Sequence, residues 1–98
     1  MSDGMEYVFK EFIIPEYMHS GIELYVKMGV RPGNFFMQVL CNNLVEAVAA
    51  ADKENMRNLP AYANYLYNYL PHDAWGSEKV VLEWMTKKQK EAKDARTS

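Results

Sequence analysis

The sequence predicts an all-α protein, a compact bundle of about four helices preceded by a short N-terminal arm or strand. Three observations carry this. Apolar residues recur at helical spacing in four separate segments. Pro, Gly and Asn punctuate the intervals between them. A length of 98 residues, 49% hydrophobic and 24% charged, is that of one small globular domain and too short for two.

The elements follow in order. Residues 1–14 form the arm: after a start at Met1 to Gly4, Tyr7 to Ile14 is short, aromatic and β-branched, suited to a strand or an extended arm. The helical domain spans 15–86. Pro15 suits a first turn, and Ile14, Met18, Ile22, Tyr25 and Met28 recur at helical spacing, so helix one is expected at about 15–28. Gly21 on that stripe is expected to admit another helix closely. Gly29 fits a left-handed C-terminal cap, and Arg31-Pro32-Gly33-Asn34 reads as a turn. From Asn34, an expected N-cap, Phe36, Val39, Leu40, Leu44, Ala47, Val48 and Ala51 keep the helical period, predicting one unbroken helix of almost five turns. Asp52 to Asn58 is polar and expected as a linker or one loose turn. Pro60 fits just after an Asn58 cap, opening helix three at about 59–70, which Pro71 stops. Ser77 caps a fourth helix with Val80, Val81, Trp84 and Met85 on its apolar side. Residues 87–98 are a basic helix end fraying into a tail.

Charge and cysteine content narrow the function classes. Residues 1–86 hold six Lys/Arg against eleven Asp/Glu, whereas 87–98 hold five against two. Phosphate neutralisation supplies most of the affinity for duplex nucleic acid, so an acidic body argues against that partner. The basic end reads as a solvated helix terminus favoured by the helix dipole. The single cysteine, Cys41, excludes an internal disulfide and a four-ligand zinc-finger site, and points to a reducing cytoplasm. No run approaches the roughly 18 apolar residues of a membrane helix, and no basic segment followed by an apolar stretch opens the chain, so neither a membrane span nor export by signal peptide is expected.

No constellation of catalytic side chains stands out. Cys41 sits between apolar neighbours, where a free cysteine acts as a small hydrophobe. His19 has Glu23 four residues on but no second histidine, and His72-Asp73 is an ordinary loop pair. The expectation is a non-enzyme with no metal and no cofactor. Two features point instead to binding. The central helix carries Asn42, Asn43 and Glu46, and a buried amide there needs a partner: a neighbouring loop, a subunit interface or a ligand. Four of seven tyrosines crowd into residues 62–69, with Tyr62, Tyr65 and Tyr69 on roughly one face and Tyr67 elsewhere. With Trp75 and Phe35 they offer more aromatic surface than so small a core is expected to absorb, the mark of a protein interface or a base-stacking platform. Arg31 and Asn34, at a helix N-terminus, are the candidate anion contacts. The expected binding residues are therefore Arg31, Asn34, Asn42, Asn43, Tyr62, Tyr65, Tyr69 and Trp75, and the expected assembly is a homodimer or higher homo-oligomer, using Tyr7, Phe9 and Phe12 of the arm and the tyrosine face.

Ile14-Pro15-Glu16-Tyr17-Met18, Gly21-Ile22, Tyr25-Val26, Pro32-Gly33-Asn34-Phe35, Val39 to Ala47, Ala51-Asp52, Leu66-Tyr67-Asn68 and Trp75-Gly76-Ser77 occur in one order. In this the chain, over about 14–85, resembles a family of small bacteriophage and prophage proteins of unassigned role, many of which carry Asp where this chain has Asn43. The resemblance implies a phage or prophage origin and no catalytic residues. It makes the leading expectation a phage-encoded counter-defence factor that inhibits a host immune component by occluding a host protein. The alternatives are sequestration of a cyclic nucleotide signal and a small phage assembly or regulatory adaptor.

Overall fold

A computed structural model describes residues 7–97 of the chain, with the side chains of 95–97 not described. It is mostly helical, with a two-stranded hairpin at its start. Strands β1 (Val8–Phe9) and β2 (Phe12–Ile13) pair antiparallel in the register Val8 to Ile13 and Phe9 to Phe12. The turn between them places Lys10 in the left-handed region, φ 57°. The arm is thus a strand pair, and it is folded back on the body. Ile14 N–H closes onto Tyr7 O at 2.8 Å, and the Tyr7 ring stacks on His19 (centroids 3.8 Å) and Tyr65 (5.4 Å). Tyr7 is 5% exposed, and Phe9 and Phe12 pack against the core, so aromatic surface expected to meet a second copy is largely spent internally.

A 3-10 turn, Glu16–Met18, leads into α1 (His19–Met28). Ile22 and Tyr25 of α1 are fully buried, whereas Met28 faces solvent. Gly29 caps α1 at φ 72°, as its position after the last apolar residue predicts.

The predicted long central helix is two helices. α2 (Asn34–Leu40) ends, and α3 (Leu44–Ala50) begins, around Cys41-Asn42-Asn43. Asn43 N–H bonds Gln38 O at 2.9 Å and Asn42 N–H bonds Val39 O at 3.0 Å, the paired bonds of a Schellman cap, with Asn42 in the left-handed position at φ 62°. Asn43 then restarts the chain as the N-cap of α3, its Oδ1 accepting from Glu46 N–H at 3.4 Å. The two asparagines punctuate the backbone. Asn34 is the first residue of α2, with Gly33 as its N-cap. The break also turns α3 so that Leu44, expected in the core, is 68% exposed.

Where a linker or one loose turn was expected, Asp52 caps a short helix, α4 (Lys53–Arg57), by accepting from Asn55 N–H at 2.7 Å. α5 (Leu59–Tyr69) starts with Pro60 in its first turn and buries Ala61, Tyr62, Tyr65 and Leu66. A second 3-10 turn, His72–Ala74, precedes α6 (Glu78–Thr97), in which Val80 N–H bonds Ser77 Oγ at 3.2 Å. α6 runs as one helix to Thr97, with no break at 86.

The core is closed by contacts remote in sequence. The Tyr25 hydroxyl donates to Ala74 O at 2.6 Å, Trp84 Nε1 donates to Tyr25 O at 3.2 Å, and Gln89 Nε2 donates to Gly29 O at 2.7 Å. The hairpin is pinned by Ile13 N–H donating to Asn58 Oδ1 at 3.0 Å. Among the described residues Asn55 and Asn58 are the buried polar ones, and both sit where α4 meets α5. The radius of gyration, 13.5 Å, is that of a compact chain of this length. Among the described residues no helix is long and apolar enough to cross a membrane.

Candidate functional site

The break at Cys41-Asn42-Asn43 opens a groove between α3 and α5. It encloses about 470 Å³ and is lined by Leu44 and Ala47 of α3, Ala63, Leu66 and Tyr67 of α5, and Trp75 of the following loop, with Asn42 and Asn43 at the end where the helices part. No lining residue is charged, in a chain where 24% of residues are. Leu44 (68% exposed) and Tyr67 (72%) project at its sides, and Val45 (75%) follows Leu44 at the start of α3. Trp75 Nε1 is buried with no hydrogen-bond partner. A buried donor left unpaired costs about 1–3 kcal/mol.

Of the sequence-predicted residues, Asn42, Asn43, Tyr62 and Trp75 meet at this groove. Tyr62, 1% exposed, lies in its floor as a core residue. Its ring meets Phe35 edge-on (centroids 5.0 Å), its hydroxyl donates to Asn55 Oδ1, and burial raises its phenol pKa. The remaining candidates are dispersed. Tyr65 and Tyr69 stack on each other, centroids 6.1 Å apart, beside Tyr7, Glu23 and Lys27. Arg31 lines a different hollow together with Cys41, Glu46 and Glu78, two carboxylates that disfavour an anion there. Asn34 lines a third, described below. The core absorbs Tyr7, Tyr25, Phe35, Phe36, Tyr62, Tyr65 and Trp84, more aromatic surface than the composition led us to expect, and leaves Tyr17, Tyr67 and Tyr69 outside. Sequence reasoning missed Leu44 and Tyr67. The signal for Leu44 was the Asn-Asn pair, since a helix restarted there no longer continues the apolar stripe of α2.

Burial, and then Glu78, raise the Cys41 thiol pKa while Arg31 opposes them, which favours the un-ionised and unreactive form. His19 Nε2 lies 2.8 Å from Ile14 O with its ring stacked on Tyr7. Among the described residues no three His, Cys, Asp or Glu side chains converge as metal ligands would.

A second hollow, of about 440 Å³, lies between the start of α1, the turn before α2, and α4. At its rim the Tyr17 hydroxyl donates to Asp52 Oδ2 at 2.7 Å. The bond from Asn55 N–H, then that from Tyr17, hold the Asp52 carboxyl below the usual carboxylate range, and the same Tyr17–Asp52 bond pushes the Tyr17 phenol up to about 12. At the floor Asn55 is 4% exposed. Its Oδ1 receives the Tyr62 hydroxyl, while the contact made by its Nδ2 is with the Met18 thioether at 3.8 Å, a weak acceptor.

Two glycines line the same hollow. A Cβ on Gly21 or Gly33 would meet nothing within 4 Å, so no other helix closes on Gly21. Neither has the positive φ that would require glycine. Within α1 Gly21 weakens the helix by about 1 kcal/mol relative to alanine. Gly33 is an N-cap with no side-chain oxygen, where Ser or Asp would satisfy a free N–H. Compared with known protein families, curated proteins and solved structures, the chain matches none of them.

Proposed function

We propose that this is a non-enzymatic binding protein that seats an apolar element of a protein partner in the groove between α3 and α5. The observation that carries the reading is an uncharged groove flanked by exposed Leu44 and Tyr67. Water is expelled from exposed apolar surface when a partner covers it, and a charge-free centre of this kind is what distinguishes the middle of an interface from the rest of a protein surface. The resemblance to small phage proteins supports a bacterial host protein as that partner and a counter-defence role, inhibition by occlusion. Sequestration of a phosphate-bearing nucleotide in this groove is the weaker reading, because no cation lines it. A second copy is the competing occupant of this face, since a face on a two-fold axis meets itself and an uncharged one does so without repulsion.

The test is photo-crosslinking in host cells from a benzophenone side chain at position 67, with the same probe at Tyr69 as control. The reading expects one dominant adduct with a host protein from position 67 alone, lost when Leu44→Asp is added. An adduct only with a second copy assigns the groove to self-association, and the absence of any adduct defeats the docking reading.

A further inference from the structure

The hollow at Gly21 and Gly33 shares no lining residue with the groove and poses a separate question. Its rim carries an ionised carboxylate, Asp52, and no lysine or arginine lines it, so it favours N–H donors or cations and repels phosphate. Its floor presents the opposite demand. The Asn55 amide has two N–H donors and meets a thioether, so it calls for a better acceptor. Between rim and floor the walls include the aromatic residues Tyr17 and Phe35 and the bare backbone at Gly21 and Gly33. The two glycines are unexplained by the chain alone, since neither backbone geometry nor internal packing excludes a side chain at either position. Each becomes intelligible if the volume that a side chain would fill is used by something else. At about 440 Å³ the hollow lies within the size range of small-molecule sites, which pair apolar walls with a few placed polar groups.

We propose that this hollow binds a small flat heteroaromatic amine of the nucleobase kind, without phosphate, its ring nitrogen accepting from the Asn55 amide and its amino group donating toward the Asp52 carboxylate. An aminopurine or aminopyrimidine presents that acceptor and that donor side by side on one edge, and its faces suit the Tyr17 and Phe35 walls. The site is independent of the docking groove, and either can fail without the other.

The experiment is titration calorimetry of the whole protein with adenosine, cytidine and purine riboside, the last differing from adenosine only by the missing amino group. Adenosine or cytidine is expected to bind, and purine riboside at least about tenfold more weakly, because loss of one hydrogen bond leaves a site group unpaired. Gly21→Leu fills the hollow from a helical position with open space around it and is expected to weaken binding at least about tenfold while the unfolding midpoint holds or rises. Asp52→Asn keeps a good N-cap residue while removing the charge, and is likewise expected to weaken binding. No heat with adenosine or cytidine at millimolar concentration overturns the proposal. So does equal binding of purine riboside, or binding that survives both Gly21→Leu and Asp52→Asn.

Discussion

The hydrogen bond between Tyr62 and Asn55 offers the sharpest test of how the body is held together. Both residues are nearly inaccessible, at 1% and 4% exposure, and the bond joins α4 to α5 beneath both hollows. Tyr62→Phe removes the hydroxyl and leaves Asn55 Oδ1 without its donor. Asn55→Ala removes the acceptor and strands the hydroxyl. A buried polar group left unpaired costs about 1–3 kcal/mol, from which the better helix propensity of alanine returns about 0.5 kcal/mol in α4. Each single change is therefore expected to destabilise by about 1–2.5 kcal/mol, and for a domain of this size each kcal/mol lowers the melting temperature by about 4–8 °C. The double variant Asn55→Ala/Tyr62→Phe strands nothing, so its cost should fall short of the sum by about 1 kcal/mol or more. Urea unfolding followed by circular dichroism at 222 nm measures all four corners of this cycle. Additive costs, or a Tyr62→Phe cost below about 0.5 kcal/mol, refute the reasoning, because the interaction would then contribute no more than an exposed hydrogen bond.

Four further outcomes are expected. Gly29→Ala should lower stability by at least about 3 kcal/mol in a chemical melt, since alanine is strained at φ 72° and its Cβ would lie 2.5 Å from Met85 O and 2.9 Å from Lys88 Cβ. Asn42→Gly should leave stability in a chemical melt level or raised, while Asn42→Val should lower it by about 1–2 kcal/mol, because a β-branched residue is strained in the left-handed cap. The Tyr17–Asp52 bond lowers one folded pKa and raises the other. Its contribution should be full between about pH 4 and pH 10, the unfolded values, fade below as Asp52 takes up a proton, and fade above as Tyr17 ionises toward about 12. Tyr17→Phe should flatten the alkaline side of a stability–pH profile. Cys41→Ala should cost about 1 kcal/mol in urea and leave partner crosslinking from position 67 intact, as expected of a partly buried thiol whose pKa is raised by burial.

Much of the secondary structure was legible because local rules and the fold agree. Gly29 after the last apolar residue of α1, Pro60 in the first turn of α5, Pro71 beyond its end and Ser77 before α6 are each used as residue chemistry predicts. The central break was not legible from periodicity. The apolar spacing runs through Cys41-Asn42-Asn43 because both α2 and α3 bury a side, and only the paired asparagines, with Glu46 three residues after the second, marked the end of one helix and the cap of the next. α4 reads only as a linker or one loose turn for the converse reason: five mostly polar residues carry no periodicity, and Asp52 alone announced a helix. The site followed the same pattern. Residue types pointed to asparagine, tyrosine and tryptophan, and four of the eight candidates do share a groove. The other four line separate hollows, Tyr65 and Tyr69 on another side of α5, and the α2–α3 break brought Leu44 to the surface against its hydrophobic character.

The closure of α1 by the end of the chain has a consequence for how the protein is made. Tyr25 is synthesised early, yet its hydroxyl is satisfied by Ala74 and its carbonyl by Trp84, and Gly29 is matched by Gln89. A nascent chain that has reached only α5 holds a hairpin and several helices whose shared core lacks one wall, and isolated short helices are marginal in water. It must therefore stay open, with Tyr25 and Ile22 within reach of chaperones and proteases, until the last quarter of the sequence leaves the ribosome. Folding becomes one late event, and a stop codon or cleavage ahead of Trp84 discards the whole domain, hairpin, groove and hollow alike.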